Sequence, residues 1–214
     1  MKNSDQNYEE QQIQPSEFRD LSFTHLMIVD LEATCCEEGT IPRHANEIIE
    51  IGAVMLDAES LEIIDQYEAF VRPVRYPVLT QFCTELTSIT QPQVDSAPEY
   101  KEAVKPFQKW MNGYSDILFC SWGDYDRNQF IRDSVATNLP YPIEAPHLNI
   151  KKLFSFSQQR ERWVGMSIAL ELCGLELEGT HHRGIDDARN MARMMPYILG
   201  RKKIPHAGAD TRTL

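Results

Sequence analysis

The chain has no excess of basic residues. Lysine and arginine number 21 against 32 aspartates and glutamates, leaving a net charge of −11 over 214 residues. A protein that holds nucleic acid by bulk charge is basic, so that mode is excluded and any such contact must be local. The plain consequence of −11 is solubility. Paired cysteines are missing too. The five cysteines, Cys35, Cys36, Cys83, Cys120 and Cys173, are odd in number and none forms a Cys-x-x-Cys pair, which argues against a disulfide framework or a zinc ribbon. No apolar run approaches about 18 residues, and no signal-like segment precedes the first apolar stretch. The expectation is a cytoplasmic protein with reduced thiols and no membrane span. Gly-x-Ser-x-Gly, P-loop and Gly-x-Gly-x-x-Gly patterns are absent, which weakens the case for serine-hydrolase, nucleotide-triphosphate and dinucleotide chemistry. There are no internal repeats.

What is present suits one domain with a proper core. Residues 1–20, "MKNSDQNYEEQQIQPSEFRD", are polar and aperiodic and are expected to be a loosely attached tail. Residues 201–214 form a second short tail opening on "RKK", expected to be a solvated basic end. Between them, over 21–200, "HLMIVDLE" is an unbroken apolar run, so a strand buried on both faces. "EIIEIGAVMLD" and "LEIIDQYEAFVRP" are rich in β-branched residues and separated by a turn at 57–60, which predicts an antiparallel hairpin. Helical spacing over "APEYKEAVKPFQKWMNG" then alternates with a buried strand, "DILFCSWG", and a helix, "YDRNQFIRDSVATNL". A short strand follows, running into a helix in "APHLNIKKLF", and two more helices end the domain, the last being "GIDDARNMARMMPYIL". The fold class is α/β, a mixed five-stranded sheet flanked by helices.

Carboxylates collect at three strand or helix ends: Asp30 and Glu32 in "IVDLE", Asp124 and Asp126 in "SWGDYDRN", and Asp186 and Asp187 after His181 and His182 in "HHRGIDD". Each has an ordinary reading, as a strand end, a helix cap or a partner of the helix dipole. The expected fold brings all three to one sheet edge, where open α/β sheets bind ligands. Like charges so gathered call for a cation. Mg²⁺ and Mn²⁺ take oxygen ligands, and two such ions suit phosphoryl displacement. A neighbouring histidine could take the proton of an attacking water.

The set Asp-x-Glu, a later Asp and His-x4-Asp resembles the DEDDh 3′-to-5′ exonucleases, which carry an RNase H-like fold. "FCTELTSITQPQVDSA" and "HLNIKKLF" resemble the branch holding histone-mRNA 3′ exonucleases, enhanced-RNAi exonucleases and bacterial KapD-type relatives, over roughly residues 24–200. The resemblance implies two Mg²⁺ or Mn²⁺ ions held by Asp30, Glu32, Asp126 and Asp187, with Asp30 bridging and His182 as general base. It favours Asp126 over Asp124 and His182 over His181. It implies that Phe82 and Tyr125 stack on bases, that Leu86 and Thr87 lie beside the penultimate base, and that Ala33 and Thr34 meet the terminal 3′-OH. Glu47 stands near this edge, and Trp122 is expected in the core. The implied activity is 3′-to-5′ hydrolysis of single-stranded ends, RNA in preference to DNA, releasing nucleoside 5′-monophosphates. The rivals are a DNA exonuclease of repair or proofreading and a catalytically silent binding module.

Overall fold

A computed structural model of the chain describes residues 12–16, 22–37 and 39–205. The strands are β1 (Gln12–Ile13), β2 (His25–Ala33), β3 (Ile48–Asp57), β4 (Ile63–Phe70), β5 (Ile117–Ser121) and β6 (His147–Asn149), in the sheet order β1-β6-β5-β2-β3-β4. The β2–β3 and β3–β4 pairs are antiparallel and the rest parallel. The helices are α1 (Gln81–Thr87), α2 (Gln91–Asp95), α3 (Tyr100–Met111), α4 (Tyr125–Ala136), α5 (Ile150–Ser157), α6 (Met166–Cys173) and α7 (Gly184–Ile198).

Among the described residues the expected count of five strands is corrected to six. Gln12 and Ile13 pair in parallel with His147 and Leu148, and the Gln12 side chain bonds the Asp124 carboxylate. These two residues fall in the segment expected to be a loose tail; residues 1–11 and 17–20 of that segment lie outside those described. The second tail also begins with attached chain. Arg201 donates to the carbonyls of Ala58 and Glu59, Lys203 donates to Ser157, and Ile204 is buried. Residues 206–214 lie outside those described.

Strand alternation decides what each face carries. Leu26 and Ile28 of β2 join Val54, Leu118, Cys120, Ala188, Met191 and Met195 in a core under α5, α6 and α7. Met27, Val29 and Leu31 point the other way, into a core with Phe107 of α3 and Phe130 of α4. Asp30 and Glu32 continue the Leu26–Ile28 series, so they emerge on the α7 face. The N-terminus of α7 lies directly on that face. Gly52 pairs with Asp30 across β3, and a Cβ at Gly52 would stand 2.1 Å from the Gly184 carbonyl carbon and from the Ile185 nitrogen. A Cβ at Gly184 would stand 2.8 Å from the Asp30 carbonyl oxygen. Only glycine at both positions allows helix backbone to touch strand backbone here. Gly52→Ala should therefore cost at least about 1–3 kcal/mol in urea unfolding by overpacking. It should also displace the start of α7 and so remove activity. Wild-type activity in that variant would show that the contact does not set the site.

Candidate active site

Asp30 and Glu32 occupy the last turn of pleat in β2, where parallel pairing to β5 has already ended at Ile28. The opening left beyond β5 is filled from α4 and α7. Oxygens of Asp30, Glu32 and Asp187 all lie within 4.8 Å of one another, and His181, His182 and Asp187 form a second group on the same criterion. Asp126 stands one step out. Its Oδ1 accepts from the Leu31 amide at 3.0 Å, and its charge is among those that raise the Asp30 carboxyl.

The electrostatics of this cluster are one-sided. Burial, and then the charges of Asp126, Glu32, Asp187 and Glu50, hold the Asp30 carboxyl well above the usual carboxylate range. Burial first, then Asp187, Glu50 and Asp126, pushes Glu32 up to about 9. Burial raises Asp126 to about 6 against the pull of the Leu31 amide. Asp187 is also raised by burial, opposed by a hydrogen bond from His181. Among the described residues, no hydrogen bond or ion pair ends on the side chain of Asp30 or Glu32. Every neighbouring carboxylate, by contrast, is occupied. Glu47 accepts the amides of Val74, Arg75 and Tyr76 at 2.7–2.9 Å, so it clasps a loop. Asp124 holds Asn149 and Lys152. Asp186 caps Thr180 and pairs with Arg189. Four oxygen-donor groups, Asp30 and Glu32 with no ion pair among the described residues and Asp126 and Asp187 beside them, fit a hard divalent ion.

The turn that carries the histidines is fixed from beneath by residues that sequence reasoning missed. Glu50, fully buried and paired in register with Glu32, accepts Arg183 Nε and Nη2 at 3.2 Å and the Gly184 amide at 2.9 Å. Arg183 also reaches Glu68 at 2.8 Å and lies over the Phe70 ring. Glutamate in the middle of the apolar run "EIIEIGAV", and glycine two places on, were the available signals. This anchoring leaves His182 at φ +63°, donating its backbone N–H to Asp187 at 3.0 Å. The His181 and His182 rings stack with centroids 3.9 Å apart, and His181 Nδ1 lies 3.1 Å from Asp187 Oδ2. Burial, and then the His181 charge, lowers the His182 pKa, so its ring is neutral near pH 7.

The residues expected to grip substrate line the same end of the sheet. Thr80 caps α1 by accepting from the Cys83 amide and donates to the Cys35 carbonyl, which ties α1 to the chain leaving β2. Phe82 is partly exposed on α1, over a groove of about 440 Å³ that Cys36, Thr40 and Glu85 also line. Leu86 is half-buried. Thr87 is fully buried and donates to the Cys83 carbonyl, so its hydroxyl serves α1. Ala33 and Thr34 are buried, with the Thr34 amide and hydroxyl bonded to Glu47. Tyr125 is exposed at the start of α4, beneath the Arg132 guanidinium. Trp122 packs on Phe154 at the core margin.

The raised carboxylates have a measurable consequence. In the metal-free protein, Glu32 keeps its proton up to about pH 9, while unfolded it releases it near its ordinary 4.5. The folded state then binds more protons, and stability falls as pH rises through that interval. Glu32→Gln, which cannot ionise, should gain thermal stability over wild type in EDTA, by a margin that widens from about pH 5 to about pH 9. A constant margin would remove the charge cluster as its cause.

An α/β fold with a carboxylate crevice at its strand ends defines a class of divalent-cation sites for phosphate-ester chemistry. The RNase_T exonuclease family model matches residues 27–195, and the chain belongs to that family, in its DEDDh branch. It is 34% identical over 198 residues to human 3'-5' exoribonuclease 1, covering 87% of this chain and 56% of that protein. It is 33% identical over 201 residues to the 3'-5' exonuclease eri1 of Schizosaccharomyces pombe, covering 80% of this chain and 66% of that one. The chain thus spans little more than half of the human relative's length. Among solved structures, the nuclease domain of 3'hExo, a DEDDh family member bound to rAMP, superposes with a TM-score of 0.74 at 32% identity, over 84% of this chain and 93% of that one. A 3'-exonuclease in 3'-end specific recognition of a histone mRNA stem-loop gives 0.76 at 25% identity, over 93% and 77%. The neighbours bear out the RNase H-like fold, and membership of the DEDDh family implies divalent-metal use.

Proposed function

We propose that this chain is a 3′-to-5′ exonuclease of single-stranded ends, acting on RNA in preference to DNA and releasing nucleoside 5′-monophosphates. The observation that carries the reading is the gathering of Asp30, Glu32 and Asp187 within 4.8 Å, with no protein cation against Asp30 or Glu32 among the described residues. Asp30, Glu32, Asp126 and Asp187 would hold two ions, Mg²⁺ or Mn²⁺, with Asp30 common to both. Bound there, the ions would supply charge stabilisation to the attacking and leaving oxygens of a phosphodiester. His182, neutral and half-buried, accepts the proton of the attacking water. Asp187 orients the His181–His182 turn through the His182 amide. Phe82 and Tyr125 offer faces to bases without reading sequence, Leu86 lies beside the penultimate base with the fully buried Thr87 holding α1 behind it, and the Ala33–Thr34 backbone meets the terminal 3′-OH.

The RNA preference draws on relatives that are named exoribonucleases and on neighbours solved with rAMP or with a histone mRNA stem-loop. A cytoplasmic setting draws on five unpaired cysteines; no helix among the described residues is long and apolar enough to cross a membrane. The test is trimming of matched 5′-labelled RNA and DNA oligonucleotides with Mg²⁺, with Mn²⁺ and with EDTA, the products identified by mass. The expected result is metal-dependent shortening from the 3′ end, faster on RNA, with 5′-monophosphates released. Faster trimming of DNA would reverse the preference. Binding with no cleavage under either metal would leave a silent module.

A further inference from the structure

We infer that Trp163 and Lys152 form a stacking subsite for an unpaired base of the substrate strand, upstream of the terminal nucleotides. This rests on the exonuclease reading above and extends it to a part of the surface outside the carboxylate crevice.

Trp163 is 62% exposed, far more than an indole of that area normally leaves in water. It is nevertheless firmly placed. On one side, Ser155 Oγ donates to the Arg162 carbonyl at 3.3 Å; on the other, Trp122 Nε1 donates to the Val164 carbonyl at 3.2 Å. The loop after α5 is therefore pinned on both flanks of Trp163, and the ring is presented outward. The Lys152 ammonium lies 5.6 Å from the ring centroid and 3.3 Å from Asp124 Oδ2. Asp124 opens α4, whose first two residues are Tyr125 and Asp126. One lysine thus joins the Trp163 ring to the segment that supplies both a stacking tyrosine and a candidate metal ligand.

Tyr125 repeats the arrangement, with Arg132 5.5 Å from its ring centroid. Two exposed aromatic rings, Trp163 and Tyr125, are thus each paired with a cation, and Lys152 ties the first to the residue before the second. The local charge agrees. Residues 151–163, "KKLFSFSQQRERW", hold Lys151, Lys152, Arg160 and Arg162 against the single Glu161, in a chain whose net charge is −11. Single-stranded nucleic acid is held by this combination, cations along the backbone path and aromatic faces under bases. A protein that cannot attract nucleic acid with its overall charge needs such a local stripe.

The test uses the full chain and labelled oligouridylates, a dinucleotide and one of about ten nucleotides, read by fluorescence anisotropy in EDTA and by steady-state trimming with Mg²⁺. Trp163→Ala should weaken binding of the longer oligonucleotide about tenfold and collapse the ratio of KM between the two lengths. Trp163→Phe, which keeps a stacking face, should restore most of both. Lys152→Gln should flatten the salt dependence of binding. If Trp163→Ala trims with an unchanged KM ratio and binds as wild type does, the subsite is wrong and the exonuclease reading stands. If the wild type trims nothing but binds the longer oligonucleotide through Trp163, the subsite stands and the exonuclease reading falls.

Discussion

Asp30→Asn should abolish trimming, by a factor of about a thousand or more, while making the metal-free protein more stable. The two directions follow from one cause. Asparagine has the shape of a protonated aspartic acid. In the metal-free fold the Asp30 carboxyl is held well above its ordinary range, by burial and by Asp126, Glu32, Asp187 and Glu50. The substitution removes a charge the fold resists, so thermal stability in EDTA should rise, most at higher pH. The same charge is what a pair of divalent ions would share, and stabilisation of a phosphoryl transition state by such ions is worth several kcal/mol, each 1.36 kcal/mol being tenfold in rate. A purely structural aspartate would move both readings the same way. The measurement is single-turnover trimming beside thermal unfolding of the same preparation, with and without Mn²⁺. Activity within tenfold of wild type would remove Asp30 from the residues proposed to hold the ions. A fall in metal-free stability would show that burial and like charge do not make the ionised Asp30 costly to the fold.

The reach of sequence reasoning differed from element to element, for physical reasons. β2 and β3 were legible because each is a sustained apolar run buried on both faces, and β4, at the sheet edge, because β-branched residues follow the turn at 57–60. β1 was not, since two residues in a glutamine-rich stretch carry no periodicity; its pairing comes from β6 and from Asp124, both more than a hundred residues away. The choice between Asp124 and Asp126 could not be made from spacing alone. In the structure they divide cleanly: Asp124 is taken by Asn149 and Lys152, and Asp126 turns inward to the Leu31 amide. Glu47 had been placed near the metal edge, but three backbone amides occupy its carboxylate. Glu50 and Gly52 were visible as breaks in an apolar run, yet their purpose depends on α7, which arrives about 130 residues later to lie on them. Side chains at strand ends were readable as a group, and the supports that aim them were not, because support is a long-range contact.

The histidine pair is where sequence and structure leave the sharpest experiment. Both rings stand at Asp187, and their contacts differ. His181 Nδ1 is engaged with the Asp187 carboxylate at 3.1 Å. His182 meets Asp187 through its backbone amide, which leaves its ring to solvent and to the stacking face of His181. With its pKa lowered by burial and by the His181 charge, His182 is ready to accept a proton near pH 7. Removing a positioned general base costs about 10²–10⁴ in rate, so His182→Ala should lose that much in single-turnover trimming. The backbone there sits at φ +63°, which asparagine tolerates better than alanine. His182→Asn should therefore lose as much activity and unfold at a temperature nearer wild type. In both variants the rise in melting temperature on adding Mn²⁺ should persist, since the four carboxylates remain. His181→Ala should cost far less than His182→Ala, because it removes a hydrogen bond from Asp187 and leaves the accepting ring in place. Wild-type trimming should weaken on the acid side of neutrality, as the His182 ring, held below the ordinary imidazole range, takes up its proton, and in His182→Asn that acid limb should disappear. If His181→Ala proves the more damaging variant, the base is the other histidine, and the left-handed turn at His182 serves to present its neighbour.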